Sequence, residues 1–316
     1  MILITGSTGY IGSHISLYFE KKNINFIGID NLSSSYKKNV TKNQRHFYLD
    51  ISNKKKINNL FKKYKPKTVI HCAANSYVLE GEKNKKKYNL NNVIKTKKFI
   101  DICKQQKIEN FIFLSSSNVY NESSKKLIFS EKDQTLPKNY YGKNKLLIEE
   151  YLNKTNFKKL FILRLFNVIG VFNNNFKAFE FKKTNYQRLI FKLLQNFKQN
   201  KKTNINIVKT NKKISFPARD FINIFDLCII LIKLIKKLSK KKAINEIFNI
   251  GSGKMIKIDR IVKYINKKYD NKLKINYVIL QKKELINTKA SIKKIIKFTN
   301  YHPKINLRKS IISHYE

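Results

Sequence analysis

Three of the nine glycines in this chain of 316 residues fall within seven positions, Gly6-Ser7-Thr8-Gly9-Tyr10-Ile11-Gly12. The residues before them, Met1-Ile2-Leu3-Ile4-Thr5, are apolar and read as a buried strand. Residues 12–21 carry apolar side chains at helical spacing. A strand, a tight turn and a helix therefore occupy the first 21 residues. Gly6 allows the turn, Gly9 lets a phosphate approach the backbone, and Gly12 lets the helix pack closely on the strand. The helix N-terminus then offers its amides and the positive end of its dipole to a pyrophosphate. The spacing is Gly-x-x-Gly-x-x-Gly, and Gly6, Gly9, Tyr10, Ile11 and Gly12 are candidate cofactor contacts.

Asp30 ends a second strand-like run 18 residues after Gly12. A carboxylate there accepts hydrogen bonds from both hydroxyls of an adenosine ribose and repels a 2′-phosphate, which selects NAD over NADP. Asn31 follows it. Asp50-Ile51 ends a third such run and is placed to meet the adenine, with a helix N-cap as the alternative role for Asp50.

The same alternation continues. Strands are predicted at 25–30, 68–73, 111–115 and 160–164, and helices at 57–64, 91–105 and 141–153. Continuous apolar runs between amphipathic helices indicate an α/β protein with a doubly wound parallel sheet covered on both faces. Beyond Asn167 the pattern loosens into helices at 185–198, 226–238 and 258–267 and strands at 205–208 and 246–250. We expect residues 1–167 to form a dinucleotide-binding domain and 168–316 a smaller mixed α/β substrate domain that returns elements to the first.

Tyr141 and Lys145 stand four apart, on one face of the helix predicted over 141–153. Tyr140 has Asn144 at that spacing. An ammonium beside a phenol favours phenolate and lowers a pKa that is about 10 when unperturbed, giving a base usable near neutrality. With 17 tyrosines and so much lysine, the spacing alone is weak evidence. It gains weight from the glycine loop upstream.

The net charge of +47 points to nucleic acid or an anionic surface, but the composition argues otherwise. Of 67 basic residues only six are Arg, the side chain suited to bidentate phosphate and base contacts. The lysines are spread along the whole chain, with Asn and Ile abundant and Gly, Pro and Trp scarce, as AT-rich codon usage imposes. Nucleic acid is not an expected partner. Cys72, Cys103 and Cys228 lie far apart in apolar contexts, as in reduced cytoplasmic proteins, and no metal site is expected. No apolar run reaches the roughly 18–20 residues of a membrane span. A strand beginning at Met1 leaves no room for a leader peptide.

These segments, taken in order, resemble the extended short-chain dehydrogenase/reductases, most closely their UDP-glucose 4-epimerase branch. The matching stretches are Gly6 to Gly12, Asp30-Asn31-Leu32-Ser33, Val69-Ile70-His71-Cys72-Ala73-Ala74-Asn75-Ser76, Asn91-Asn92-Val93 and Ser115-Ser116-Ser117-Asn118-Val119-Tyr120. Tyr141-Gly142-Lys143-Asn144-Lys145, Arg164-Leu165-Phe166-Asn167, Arg219-Asp220-Phe221-Ile222 and Phe248-Asn249-Ile250-Gly251 carry the likeness through nearly the whole chain. The resemblance implies Tyr141 as base, Lys145 on the nicotinamide ribose, and Ser116 on the sugar oxygen being oxidised. Ala73, Ala74 and Asn92 would line NAD. Asn118, Asn167, Asn185 and Arg219 would contact a UDP-sugar, with a salt bridge to Asp220 as the alternative for Arg219. It also implies a homodimer built from the helices near 91–105 and 141–153. The implied reaction interconverts UDP-glucose and UDP-galactose; N-acetylated or uronic UDP-sugars are the alternative substrates. A 4,6-dehydratase would need an acid and a base where Ser117 and Asn118 stand. Two departures bear on the substrate. Asn121 replaces the usual Gly after Tyr120, and the stretch Leu280-Gln281-Lys282-Lys283-Glu284 lacks a second phosphate-binding Arg.

Overall fold

The structure, a computed structural model, describes every residue except 41–44, 122–126, 172–187, 211–212, 269, 271–272, 281–286, 305 and 313–316. Its centre is a seven-stranded parallel sheet. From one edge to the other the strands are Ile244–Ile250, Lys159–Leu165, Asn110–Ser116, Thr68–His71, Ile2–Thr5, Phe26–Asp30 and His46–Tyr48. Ile2 aligns with Phe26 on one side and Thr68 on the other, so the first strand is central. Chain order reverses there, and such a reversal opens a crevice beyond the carboxyl ends of the strands.

Successive side chains of a strand face opposite sides, and here each side is buried by its own helices. Ile2, Ile4, Ile70, Ile112 and Leu114 join one core with the helices Tyr10–Lys21 and Ile224–Lys240. Leu3, Val69, Phe111 and Phe113 join another with the helices Lys54–Tyr64, Lys95–Gln105 and Tyr140–Lys154. Double burial is why these strands read as unbroken apolar runs. The α/β fold with a doubly wound parallel sheet is as expected from the sequence.

Two elements of the second half complete this layer. The strand Ile244–Ile250 pairs with Lys159–Leu165 along its full length, and the helix Ile224–Lys240 packs beside Tyr10–Lys21. Among the described residues the remainder forms two three-stranded sheets and a two-stranded pairing of Lys289–Ala290 with Ile128–Phe129. One joins Lys213–Ser215, Thr203–Thr210 and Ile275–Ile279; the other joins Met255–Lys257, Ala218–Asn223 and Asn167–Ile169. Their apolar faces meet the helices Leu189–Lys198 and Ile258–Lys268.

The helix predicted over 91–105 differs in form. Asn89–Ile94 is a π-helical turn, and the regular helix starts at Lys95. Asn92 explains the widened turn: its Oδ1 accepts from the Asn75 amide at 2.8 Å and its Nδ2 donates to the Asn75 carbonyl at 2.9 Å. One side chain thereby satisfies both backbone groups of a loop residue, and π-turns recur where such local demands arise. The helix Lys293–Thr299, which pattern reading missed, packs Phe298 on Phe248 at 5.0 Å.

His71 sits inside the sheet, stacked on Phe99 at 5.5 Å and Phe113 at 6.0 Å, with Nδ1 at 2.9 Å from the Thr5 hydroxyl. Burial, aided by the charge of Lys145, pulls its pKa from 6.5 down to about 3. Burial likewise lowers His14 and His46 to about 4. These rings are neutral in the folded protein and gain protons on unfolding once the pH drops below 6.5. Stability is therefore full above that value and is lost as the pH falls toward 4. We expect the urea midpoint at pH 5 to lie well below that at pH 7.5. Equal midpoints would show that the rings contribute no proton linkage.

Candidate functional site

The glycine loop closes backbone on backbone. Gly6 has φ +65°, and a Cβ on it would fall 2.8 Å from the Ala73 backbone. A Cβ on Gly12 would lie 2.1 Å from the Gly6 carbonyl oxygen, so the helix approaches the turn as closely as its backbone permits. The Cys72 and Ala73 amides donate to the Thr5 hydroxyl at 3.2 Å, which fixes the second wall. The helix Tyr10–Lys21 begins with no side-chain cap and no acidic residue in its first turn. Its N-terminal amides are thus left to a ligand, which fits a pyrophosphate.

Asp30 accepts from the Thr8 amide at 3.1 Å and the Leu32 amide at 2.8 Å, so it braces the loop from the neighbouring strand. Asn31 donates to Asp50 at 3.0 Å, and Lys95 donates to the same oxygen at 2.5 Å. Partial burial pushes the Asp50 carboxyl up, but hydrogen bonds from Lys95, Ser52 and Asn31 outweigh it and hold the group well below the usual carboxylate range. The helix after it is capped by Asn53, whose side chain accepts from Lys56 at 3.1 Å; Asp50 is not the cap. Ile51 is buried and Ile11 packs on the first core. Ala73 and Ala74 follow the fourth strand on the wall facing the loop, both partly exposed.

Tyr141 and Lys145 lie in the first turns of the helix Tyr140–Lys154, both buried. Asn139 caps this helix by accepting from the Gly142 amide at 2.8 Å. Its Nδ2 donates to Asn118 Oδ1 at 2.9 Å, and Asn118 Nδ2 donates to Ser116 Oγ at 3.0 Å. A chain of side-chain amides thus fixes the end of the strand Asn110–Ser116 against the start of the helix. Gly142 makes the approach possible, since a Cβ there would fall 2.2 Å from the Asn118 carbonyl oxygen.

Lys145 Nζ donates to the Leu114 carbonyl at 2.7 Å, 4.6 Å above the Phe113 ring and 5.9 Å from the centre of the Tyr141 ring. Burial lowers its pKa to about 8, against the upward pull of Cys72 and Glu149. The expectation that Lys145 lowers Tyr141 is not met. Burial raises the Tyr141 phenol to about 12, and what opposes it is the charge of Arg188 and a hydrogen bond with Ser116. Removing water from a neutral phenol costs little, whereas removing it from a phenolate costs much, so desolvation prevails.

Asn167 donates to the Asp220 carbonyl at 3.1 Å from a strand that runs parallel to Phe221–Asn223. The alternative of an Arg219–Asp220 salt bridge gives way to a different arrangement. Neighbours on one strand point to opposite faces. Asp220 is fully buried and accepts from Ser252, Gly253 and Ala290 amides at 2.7–3.0 Å, while Arg219 is partly exposed and donates to the Ala218 carbonyl at 3.2 Å. Asn185, and Lys282 and Lys283 in the arginine-poor stretch, lie outside the described residues. The Asn121 backbone amide donates to the Gln134 carbonyl at 3.0 Å.

Two groups escaped sequence reading. Glu149, four residues after Lys145, pairs with Arg164 through contacts of 2.7–3.2 Å and also accepts from Ser115. Its spacing from Lys145 was the available signal. Arg188 stands 4.6 Å from the centre of the Tyr10 ring. Its signal was its rarity in so lysine-rich a chain.

The sequence model of the NAD dependent epimerase/dehydratase family matches residues 2–251. An uncharacterized protein of Methanocaldococcus jannaschii is 27% identical over 327 aligned positions, which cover 98% of this chain and 93% of that one. A crystal structure of a UDP-glucose 4-epimerase superposes with a TM-score of 0.89 at 25% identity, over 99% of this chain and 95% of the other. A UDP-Glc/GlcNAc 4-epimerase from Campylobacter jejuni gives 0.81 at 27% identity, over 99% and 97%.

The close approach at Gly142 is open to test. Alanine is preferred over glycine inside a helix by about 1 kcal/mol, whereas overpacking costs roughly 1–3 kcal/mol. With backbone at 2.2 Å from the new Cβ, overpacking should win. Gly142→Ala should lower the urea midpoint; a raised midpoint would show that the contact does not set the spacing.

Proposed function

This chain belongs to the NAD dependent epimerase/dehydratase family and uses NAD, and we propose that it is a 4-epimerase interconverting UDP-glucose and UDP-galactose. The observation that carries the reading is the convergence of Ser116, Tyr141 and Lys145 at one end of the strand Asn110–Ser116, beside the glycine loop.

In this reading Gly6 to Gly12, Asp30, Asn31, Asp50, Ile51, Ala73, Ala74 and Asn92 hold the dinucleotide. Residues 1–167 serve the cofactor and 168–316 the nucleotide-sugar. NAD, when bound, supplies the hydride acceptor for C4 and a ring whose positive charge favours phenolate nearby. Tyr141 takes the proton of the sugar 4-hydroxyl, with Ser116 hydrogen-bonded to the same oxygen. Lys145 holds the nicotinamide ribose, and its ammonium adds to the field that lowers the Tyr141 proton affinity once ligands replace water. Asn118 fixes Ser116. Asn167, Asn185 and Arg219 keep the diphosphate in place while the 4-keto sugar turns over, and Tyr141 returns the proton as hydrogen comes back to the opposite face. Proton and hydride are both returned, so no net redox change occurs.

The similarity to the Campylobacter jejuni UDP-Glc/GlcNAc 4-epimerase supports a second reading, in which UDP-N-acetylhexosamines are substrates as well. The tests are direct. Protein denatured after purification should release NAD, and the native protein should turn over UDP-galactose, with UDP-N-acetylgalactosamine offered in parallel. Tyr141→Phe should lower kcat by about 10²–10⁴ while NAD content stays unchanged. Near wild-type turnover in that variant would remove Tyr141 as the base. Turnover of neither sugar would end the substrate assignment.

A homodimer in the cytoplasm, with a place in galactose metabolism, completes the proposal. Leu90, Ile94 and Leu147 are 49%, 40% and 43% exposed on neighbouring helical segments, an apolar stripe that a second copy would bury. Sedimentation equilibrium should give twice the 37.4 kDa chain mass. A monomer at micromolar concentration would refute the dimer.

A further inference from the structure

Resting on the nucleotide-sugar reading above, we infer that Arg188 is a further binding residue, one that grips a diphosphate between the glycine loop and Tyr141. Arg188 precedes the helix Leu189–Lys198, which is anchored by buried Ile190, Leu193 and Leu194 in the core of the second half. From there the guanidinium reaches across to the first half and lies 4.6 Å from the centre of the Tyr10 ring. Tyr10 opens the helix whose uncapped N-terminus faces the pyrophosphate position. The ring is itself fixed. Its hydroxyl donates to the Gly170 carbonyl at 2.6 Å, and Phe191 meets it edge-on at 5.4 Å.

The guanidinium is half-buried, yet among the described residues no oxygen accepts a hydrogen bond from it and no carboxylate pairs with it. The face of a tyrosine uses its charge but none of its five N–H donors. Those donors have the fork geometry that takes two oxygens of a phosphate. The same positive charge lowers the proton affinity of both Tyr10 and Tyr141, so its field spans the loop and the proposed base. Composition adds independent weight. Arginine holds only six of the 67 basic positions, and a lysine would serve equally well for solubility.

Two diphosphates share this chemistry, the pyrophosphate of NAD and the diphosphate of the sugar nucleotide. Arg188→Met keeps an apolar stem on Tyr10 and removes the fork; Arg188→Lys keeps charge alone. NAD content after gel filtration reads the first source. Calorimetric titration of NAD-loaded protein with UDP reads the second. We expect Arg188→Met to weaken one of them by about tenfold or more, with Arg188→Lys between it and wild type. NAD loss assigns the grip to the cofactor, and weaker UDP binding assigns it to the substrate. UDP affinity and NAD content both within about twofold of wild type in folded Arg188→Met would overturn the inference. Should that variant fail to fold, Arg188→Lys decides, and wild-type binding of both ligands in it is likewise an overturning result. Because the readouts are binding, they separate from turnover. Wild-type protein that binds NAD and UDP but epimerises no sugar defeats the reading above and leaves this one standing. Protein that binds neither defeats both.

Discussion

The placement of Tyr141 and Lys145 against the sheet rests on one buried ion pair, Arg164 with Glu149. Glu149 belongs to the helix that carries Tyr141 and Lys145, and Arg164 to the strand beside Asn110–Ser116. Ser115 donates to the same carboxylate, so strand, helix and neighbouring strand meet at one charge. The Arg164 guanidinium also lies 4.9 Å from the centre of the Tyr120 ring, whose hydroxyl donates to Asn249 on the returning strand at 2.5 Å. A buried pair of this kind adds little net stability over an apolar replacement, but losing one partner leaves a charge stranded in low dielectric. Its value here lies in register: it allows one rotation of the helix relative to the sheet.

Around that fixed frame, desolvation rather than charge proximity governs protonation. Burial moves Tyr141 up from 10.0 to about 12 and Lys145 down from 10.5 to about 8, so the two part although only 5.9 Å separates the ammonium from the ring. Each shift disfavours the charged form of its group, as removal of water requires. Near neutrality Tyr141 is therefore a neutral phenol while Lys145 keeps most of its charge, in a chain whose other lysines are mostly at the surface.

The sequence made the first half legible because double burial writes itself as unbroken apolar runs and because the glycine turn tolerates few alternatives. Strand ends were placed to within a residue or two at Phe26–Asp30, Asn110–Ser116 and Lys159–Leu165. The π-turn at Asn89–Ile94 was not legible, since it answers a loop residue distant in sequence. The Tyr–Lys spacing was read correctly as one helical face, but its electrostatics were not. Spacing reports neighbours along a helix, whereas the pKa is set by how completely the sheet and loops exclude water. The placement of Arg188 was not legible for a similar reason: its partner, Tyr10, lies across the fold.

The strand Ile244–Ile250 carries one more consequence, for the order in which the protein can be made. Until it is synthesised, Lys159–Leu165 is an open edge of a parallel sheet, and an unpaired apolar edge invites pairing with another chain. About four-fifths of the polypeptide must therefore leave the ribosome before the sheet can close, and parallel pairing across such distances is slow. The nucleotide-binding end can form early, but its protection comes late, so the nascent chain carries its greatest aggregation hazard while its most recognisable motif is already complete.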